Sequence, residues 1–387
     1  MNPSIEHGAD TVNVYQRMTA LAAGSGAVNL SQGIPEPVYD PEWRDAVAAE
    51  LPRAHFQYTP TAGQPVLREA VAALYPDRGD GTSDPVVTSG CTESLASVLL
   101  ALAGSGSETV VWLDPGYSYY PGLARTAGLR SRSVPIDLSG PSPRLDTGRL
   151  VEALAPLGRR GVLLLNSPHN PSGLVLDREA WSEVIELTGR YGCQVVVDDV
   201  YRDFRYRGPA VPYRELLATG RAAVAGAVSK SYAASGVRLG WFITSDGLAR
   251  RAETAHMHLS NCAPDLLQRA AARVLRQVDG ARLTRTTESY RRKRDHLLAA
   301  LNGSGFTTIA PDGGHFVMAR PPRGTLRGSD PAVELARAAG VAALPLDSFF
   351  ARPEPSWLRL SFAVAEDQVA TAARRLGHWH PAPPPPA

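Results

Sequence analysis

Four short apolar runs in the middle of the chain, Thr109 to Leu113, Gly161 to Leu165, Gln194 to Val197 and Ala222 to Val228, constrain the fold more than any other feature. They are continuous, without the in–out alternation of a sheet that has one wet face. Runs of this kind suit parallel strands whose two faces are both covered by helices. Amphipathic stretches such as Arg178 to Arg190 separate them and supply helical crossovers. The expectation is an α/β fold with a doubly wound sheet. A fifth run, Val237 to Thr244, follows after too short a gap for a helical crossover. It is expected to pair antiparallel with its predecessor and to return Arg238 to the edge where that strand ended.

From about Ala263 to Leu301 the pattern turns helical, with Leu266, Leu267, Ala270, Val274 and Leu275 on one face. A domain boundary is expected within this stretch. Residues 1–40 would then form an N-terminal arm and part of a smaller domain, 41–285 a large domain and 286–379 the rest of the smaller one. Residues 380–387 are mostly Pro and read as a polyproline-like or disordered tail.

Charge narrows the partner. With 40 basic and 38 acidic residues the net charge is +2, too little for the field that nucleic acid or an anionic membrane surface demands. A small molecule is the expected partner, with neither nucleic acid nor membrane. Cys91, Cys193 and Cys262 are far apart without a CxxC pair, which supports neither a disulfide framework nor a zinc ribbon. MNPSIEHGAD lacks a secretory pattern, and no apolar run approaches the roughly 18 residues of a membrane span. A reduced, cytoplasmic setting is expected. Of the 40 basic residues, 38 are Arg and only Lys230 and Lys293 are Lys.

Ligands of open α/β sheets sit beyond the carboxyl ends of the strands. There the runs are followed by Asp114-Pro115-Gly116-Tyr117, by Asn166-Ser167-Pro168-His169-Asn170-Pro171-Ser172-Gly173, by Asp198-Asp199-Val200-Tyr201, and by Ser229-Lys230. Singly, each is an ordinary turn, cap or packing residue. Together they supply what pyridoxal phosphate requires: a lysine amine for a Schiff base, a carboxylate for the pyridine nitrogen and donors for the ring oxygen. Gly90-Cys91-Thr92-Glu93 opens a helical pattern directly after Pro85-Val86-Val87 and offers a phosphate cradle. An ordinary N-cap by Ser89 or Thr92 fits that segment equally well.

The segments SPHNPSG, VVVDDVYRDF and SKSYAASGVRLGW, in this order and spacing, resemble the signature of the class I and II aminotransferases, fold type I pyridoxal phosphate enzymes. NLSQGIPEP, QYTPTAGQPVLREAV and DPGYSYY resemble the branch containing kynurenine and glutamine transaminases, and WLRLSFA its carboxylate-binding segment. The resemblance implies a large domain with a mostly parallel seven-stranded sheet flanked by helices, plus a smaller α/β domain. It implies transamination between an L-amino acid and a 2-oxo acid with pyridoxal 5'-phosphate, and no metal. Lys230 would hold the cofactor as a Schiff base and shuttle the proton. Asp198 would pair with the pyridine nitrogen, Asn170 and Tyr201 would bond the ring oxygen, and Tyr117 would stack on the ring. Gly90, Cys91, Thr92, Ser229 and Arg238 would hold the phosphate, and Tyr58 would reach the neighbouring active site of a homodimer. Arg359 would clamp the substrate carboxylate, with Gly33 and Asn170 nearby. The same scaffold also supports elimination, oxidation, decarboxylation or cyclisation of non-proteinogenic amino acids, which stands as the alternative.

The chain departs from the family pattern at two positions. Ala227 stands where many members carry a phosphate-binding Ser, which leaves Ser229 or Ser231 to compensate, and Asp199 replaces the usual Glu, a change expected to be structural. No GxGxxG and no GK dipeptide occurs, which removes the dinucleotide and P-loop readings. His256 and His258 form a lone HxH without further zinc ligands. The cluster Arg291 to Asp295 reads as a solvated helix face, with Lys293 part of that background. For the substrate side chain two readings stand open: an apolar or aromatic group facing Tyr117, Tyr119, Phe349 and His315, or a cationic one facing Glu36.

Overall fold

The computed structural model describes residues 6–322, 324–326, 330–354 and 356–379. The tail expected at 380–387 lies outside the described residues. Strand β1 (Val28–Asn29) lies apart from the main sheet. That sheet takes the next eight strands: β2 (Val86–Thr88), β3 (Thr109–Asp114), β4 (Arg130–Asp137), β5 (Arg144–Leu145), β6 (Gly161–Asn166), β7 (Gln194–Asp198), β8 (Ala222–Ala227) and β9 (Gly240–Thr244). Their spatial order is β2-β9-β8-β7-β6-β3-β4-β5. Strands β8, β7, β6, β3 and β4 run parallel, and β9 is antiparallel to both β8 and β2. The body is thus the expected seven-stranded, mostly parallel sheet, with the two-residue β5 added antiparallel at one edge.

The four apolar runs are continuous because each strand serves two cores. Val111 and Leu113 of β3, Leu163 and Leu165 of β6, and Val195 and Val197 of β7 belong to one buried cluster. The residues between them, Val110, Trp112, Val162, Leu164 and Val196, belong to another on the opposite face. Successive side chains of a strand point to opposite faces, so covering both faces removes the polar half of the alternation. Strand β4 shows the converse. It alternates between exposed and buried residues over its last half, which is why no apolar run announced it.

A third cluster joins Met18, Ala22 and Leu30 to residues from Tyr290 to Leu376. It packs around a four-stranded antiparallel sheet of β10 (Thr307–Ile309), β11 (Phe316–Arg320), β13 (Leu344–Pro345) and β14 (Leu358–Ser361), while β12 (Val341–Ala342) pairs with β1. The helical stretch expected from Ala263 to Leu301 is two helices, Asp265–Gln277 and Gly280–Gly303. The second begins where the Asp279 carboxylate accepts from the Arg282 amide, an N-cap that starts a helix afresh. Within it the chain changes core: Leu283 packs against the first cluster, and Tyr290, Leu297 and Leu301 belong to the third.

Strand β9 pairs as the short gap required, with Gly240 opposite Ala227 of β8 and Thr88 of β2. This brings the β9 edge against the start of the helix Cys91–Ala103. A Cβ on Gly240 would lie 2.5 Å from the Gly90 carbonyl carbon and 2.6 Å from the Cys91 nitrogen, so only glycine lets this helix end approach the sheet. Gly240→Ala is expected to cost about 1–3 kcal/mol through overpacking against rigid backbone and to lower the thermal unfolding midpoint. Gly189→Ala, in open space on the helix Arg178–Tyr191, is expected to raise that midpoint through helix propensity. Calorimetry on both variants tests the pair.

Candidate active site

One cleft of about 400 Å³ opens at the carboxyl ends of β6, β7 and β8. Of the residues singled out from the sequence, Gly33, Cys91, Thr92, Tyr117, Tyr119, Asn170, Asp198, Tyr201, Ser229, Lys230, Arg238 and Arg359 line it. Sheet register explains much of this convergence. Asn166, the last residue of β6, stands opposite Asp198, the last of β7, and Asp198 opposite Ala225 of β8. Lys230 lies in the turn that follows β8.

The Lys230 ammonium donates to the Gly33 carbonyl oxygen at 2.7 Å. Burial, followed by the nearby Arg359 guanidinium, pulls its pKa down to about 8, while Asp198 opposes the fall and Arg238 adds to it. The Asp198 carboxyl is itself pushed upward by burial. Opposing that push, Tyr120 Oη donates to its Oδ2 at 2.8 Å, the Val200 amide to Oδ1 at 3.4 Å and the Cys91 thiol to Oδ1 at 3.6 Å. Tyr201 is buried, and burial raises its phenol pKa, so it remains a proton donor.

Asn166 shapes the loop that follows β6. Its amide nitrogen donates to the Asp198 carbonyl at 2.8 Å, and its side-chain oxygen accepts from the Asn170 amide at 2.7 Å. Asn170 in turn accepts Arg359 Nη1 at 2.9 Å, and Arg359 Nη2 donates to the Ser31 carbonyl at 3.2 Å. Arg359 is 2% exposed, its guanidinium carbon lies 3.9 Å from the centre of the Phe316 ring, and its Nε has no protein partner. A buried guanidinium with an unspent donor is poised for an anion such as a carboxylate.

A second anion site is built at the helix Cys91–Ala103. Gly90 is its cap residue at φ +96° with no side-chain bond, so neither Ser89 nor Thr92 caps it. The amides of Glu93 and Ser94 turn back to the Gly90 carbonyl, which leaves those of Cys91 and Thr92 as donors at the positive helix end. A Cβ on Gly90 would lie 2.5 Å from Arg238 Nη2, so the missing side chain is what lets this arginine close on the cradle. Arg238 itself adopts φ +55°, a strained conformation for a non-glycine residue and frequent at ligand sites. Together these groups fit a phosphate.

Tyr58, expected to reach a neighbouring active site, is 85% exposed and lies outside its own chain's cleft. Other expectations are corrected. His315 lies behind the wall, fully buried among Phe204, Tyr201 and Tyr290, with its pKa driven well down by burial. Phe349 is also buried, its ring centre 5.2 Å from the Arg359 guanidinium carbon. Lys293 is no part of a solvated face: it is 4% exposed and donates to Glu36 Oε2 at 2.7 Å. Glu36 is therefore committed to Lys293 and does not line the cleft. Ser231 is buried without lining the cleft, whereas Ser229 and the unforeseen Ser235 do line it. Asp199 accepts from Tyr213 at 2.8 Å and Tyr75 at 3.3 Å away from the cleft, and burial raises its carboxyl to about 7. His256 Nδ1 bonds Glu93 at 2.7 Å, and His258 is exposed.

Sequence reasoning also missed Tyr120 and the cleft residues Tyr15, Gln16, Gln32 and Ile34. Tyr120 stood within DPGYSYY, where nothing separated it from Tyr117 and Tyr119. Tyr15 and Gln16 come from the helix Glu6–Ser25, which reaches the cleft by long-range packing that no local motif announces.

A family model described as aminotransferase class I and II matches residues 25–376. The methionine aminotransferase of Escherichia coli is 31% identical over 372 residues, covering 94% of this chain and 95% of the relative. Among solved structures, the N-succinyldiaminopimelate aminotransferase of Mycobacterium tuberculosis superposes with a TM-score of 0.84 at 29% identity, covering 95% of this chain and 97% of its own. The Escherichia coli methionine aminotransferase structure gives 0.84 at 28% identity, over 94% of this chain and 96% of its own.

Two lysines make the amine chemistry easy to read. Reductive methylation of the full chain, stripped of small ligands and followed by peptide mass, is expected to modify Lys230 with a pH midpoint near 8 rather than the ordinary 10.5. Asp198→Asn removes the charge that holds the ammonium form, so the midpoint is expected to fall further. A midpoint unmoved or raised in that variant would contradict the electrostatic coupling.

Proposed function

The chain belongs to the class I and II aminotransferases, and from that membership we propose that its cleft exchanges the amino group of an L-amino acid bearing a neutral side chain with a 2-oxo acid. Transamination with pyridoxal 5'-phosphate is the family's activity, on a fold type I scaffold. When bound, that cofactor supplies a carbonyl that condenses with amines and a ring that draws electron density from the substrate Cα.

The donor set suits the group. Lys230 would hold the cofactor through its aldehyde, and its amine would move the proton at the substrate Cα. An amine near 8 leaves about a tenth in the free-base form at pH 7, enough for a general base at neutral pH. Asp198 is the counter-charge of the pyridine nitrogen, oriented by Tyr120. Tyr201 donates to the ring oxygen, and so does Asn170, whose own oxygen is occupied by Arg359. Tyr117 provides a flat wall, stacked on Tyr119 at 4.8 Å between ring centres. The Cys91 and Thr92 amides, Ser229 and Arg238 hold the phosphate, and Ser235 adds a hydroxyl beside them. Arg359 would orient the substrate carboxylate through its unspent Nε, a contact that turns binding into alignment of the reacting Cα.

One observation supports the neutral side chain. Among the described residues, the charged side chains lining the cleft are Asp198, Lys230, Arg238 and Arg359, each with a task in the common chemistry. The remaining wall, Tyr15, Gln16, Gln32, Ile34, Tyr117 and Tyr119, offers rings, amides and an aliphatic surface but no charge to pair with a carboxylate or guanidinium. Glu36, the former candidate for a cationic substrate, is held by Lys293.

The purified enzyme is expected to lose its aldehyde-form visible absorbance with aromatic, thioether or amide donors and to keep it with aspartate and arginine. Lys230→Ala is expected to abolish multiple turnover. Rapid conversion by aspartate or arginine alone would refute the neutral side chain, and sustained turnover of Lys230→Ala would refute the assigned base.

A homodimer accords with the strongly exposed Phe56 and Tyr58. Their segment is pinned rather than loose, since the His55 amide donates to Asp265 and Thr59 to the Ala263 carbonyl. Sedimentation should give twice the chain mass of 41.3 kDa; a monomer at micromolar concentration would exclude the arrangement. The free cysteines Cys91, Cys193 and Cys262 accord with a reducing, cytoplasmic setting, and no helix among the described residues is long and apolar enough to cross a membrane.

A further inference from the structure

The chain's two lysines close on one short segment. Lys230 donates to the Gly33 carbonyl, and Lys293 donates to the Glu36 carboxylate at 2.7 Å and to the Val364 carbonyl at 2.7 Å. Between the two contacts lie only Ile34 and Pro35, and proline removes one backbone freedom from so short a link. On the other side of Gly33, the Ser31 carbonyl accepts from Arg359.

The ends of this segment are tied to the third core. The Ser361 amide donates to Leu30 and the Glu36 amide to Ala363. Its middle, Gln32 to Ile34, lines the cleft. Gly33 is pressed against the Phe316 ring so closely that a Cβ would lie 2.5 Å from it. Small displacements of the segment are therefore transmitted to the groups it touches.

Lys293 is 4% exposed on the helix Gly280–Gly303, its ammonium 5.1 Å from the centre of the Tyr290 ring, whereas the side chain of Glu36 is 32% exposed. A single ammonium serves a carboxylate and a carbonyl at once, a compact geometry that a planar guanidinium does not reproduce. In a chain that otherwise uses arginine for positive charge, lysine is kept at both of these contacts.

We propose that Lys293 is a positioning residue of the active site: by pinning Glu36 it holds the Ser31–Glu36 segment so that the Gly33 carbonyl meets Lys230 and the Ser31 carbonyl meets Arg359. The proposal rests on the reading of Lys230 and Arg359 as working groups of the cleft. It adds that their alignment is set from outside the cleft, by an ion pair that touches neither substrate nor cofactor.

A merely structural ion pair would change stability alone, and the test separates the two roles. Lys293→Met strands Glu36 and is expected to lower the unfolding midpoint. Removing both charges together, in Lys293→Met/Glu36→Leu, is expected to restore that midpoint, because paired apolar replacements of a buried ion pair are near neutral for folding. In both variants, well below the unfolding temperature, the holoenzyme is expected to lose about tenfold or more in kcat/KM through misalignment. In both, reductive methylation of Lys230 in the full chain is expected to shift its midpoint upward from about 8, since a loosened segment admits water to an amine whose fall is chiefly due to burial. The labelling readout is independent of any turnover, so it tests the latch even if the assigned reaction is wrong. A double variant with a restored unfolding midpoint, unchanged kcat/KM and unchanged Lys230 labelling would overturn the proposal.

Discussion

Burial of the central strands on both faces is the constraint from which the site follows. Strands β3, β6 and β7 are walled in by one cluster on each side, and an unpaired polar group placed within them would cost several kcal/mol. Functional polar groups are admitted where the strands end. Parallel direction gathers those ends along one edge, and register sets Asn166 beside Asp198. The turn after β8 keeps the chain at the same edge until the antiparallel β9 starts there, and this sets Arg238 against the helix that begins at Cys91. Two glycines make the meeting possible: Gly240, which leaves room for the helix end, and Gly90, which leaves room for the arginine.

Once gathered, these groups control one another through charge in a dry place. Lys230, Arg238 and Arg359 face a single cleft carboxylate, Asp198, and the shortage of negative charge together with burial holds the lysine amine near 8. A bound phosphate and a substrate carboxylate are the anions such a cleft lacks, and the unspent Arg359 Nε and the Cys91 and Thr92 amides are where it would receive them. The donors to Asp198, above all Tyr120, oppose the upward push of burial on its carboxyl. The ordinary lysine pKa is thus lowered by the same packing that makes the sheet stable.

Much of this was legible in the sequence. Strands β3, β6, β7 and β8 declared themselves by unbroken apolar runs, and the gap before β9 was too short for anything but an antiparallel return. The residues after each run, from Asn170 to Lys230, were legible as one site because a lysine, a carboxylate and an amide at successive strand ends have no common structural reason to be there. What escaped depended on packing between distant segments. Strand β4 has a wet stretch and so lacked the signal of its neighbours, and Tyr120 could not be told from two adjacent tyrosines. Tyr15 and Gln16 lie on a helix whose approach to the cleft is set by the third core. Lys293 sat in a run of charges that pattern alone assigns to solvent, and Glu36 in a loop that pattern alone left facing the substrate.

The sequence by itself determined the fold class and the family, and it singled out the residues proposed for the common chemistry, because these rest on local patterns: strand burial, turn residues and motif spacing. The tertiary structure alone decided which groups surround that chemistry. Whether a side chain at the cleft's rim faces substrate, solvent or another buried charge depends on contacts spanning hundreds of residues, such as Lys293 with Glu36 at a separation of 257 positions. No periodicity encodes that distance. The physical reason is that a buried cation demands a partner wherever the fold can supply one, and only the assembled cores show which partner is within reach.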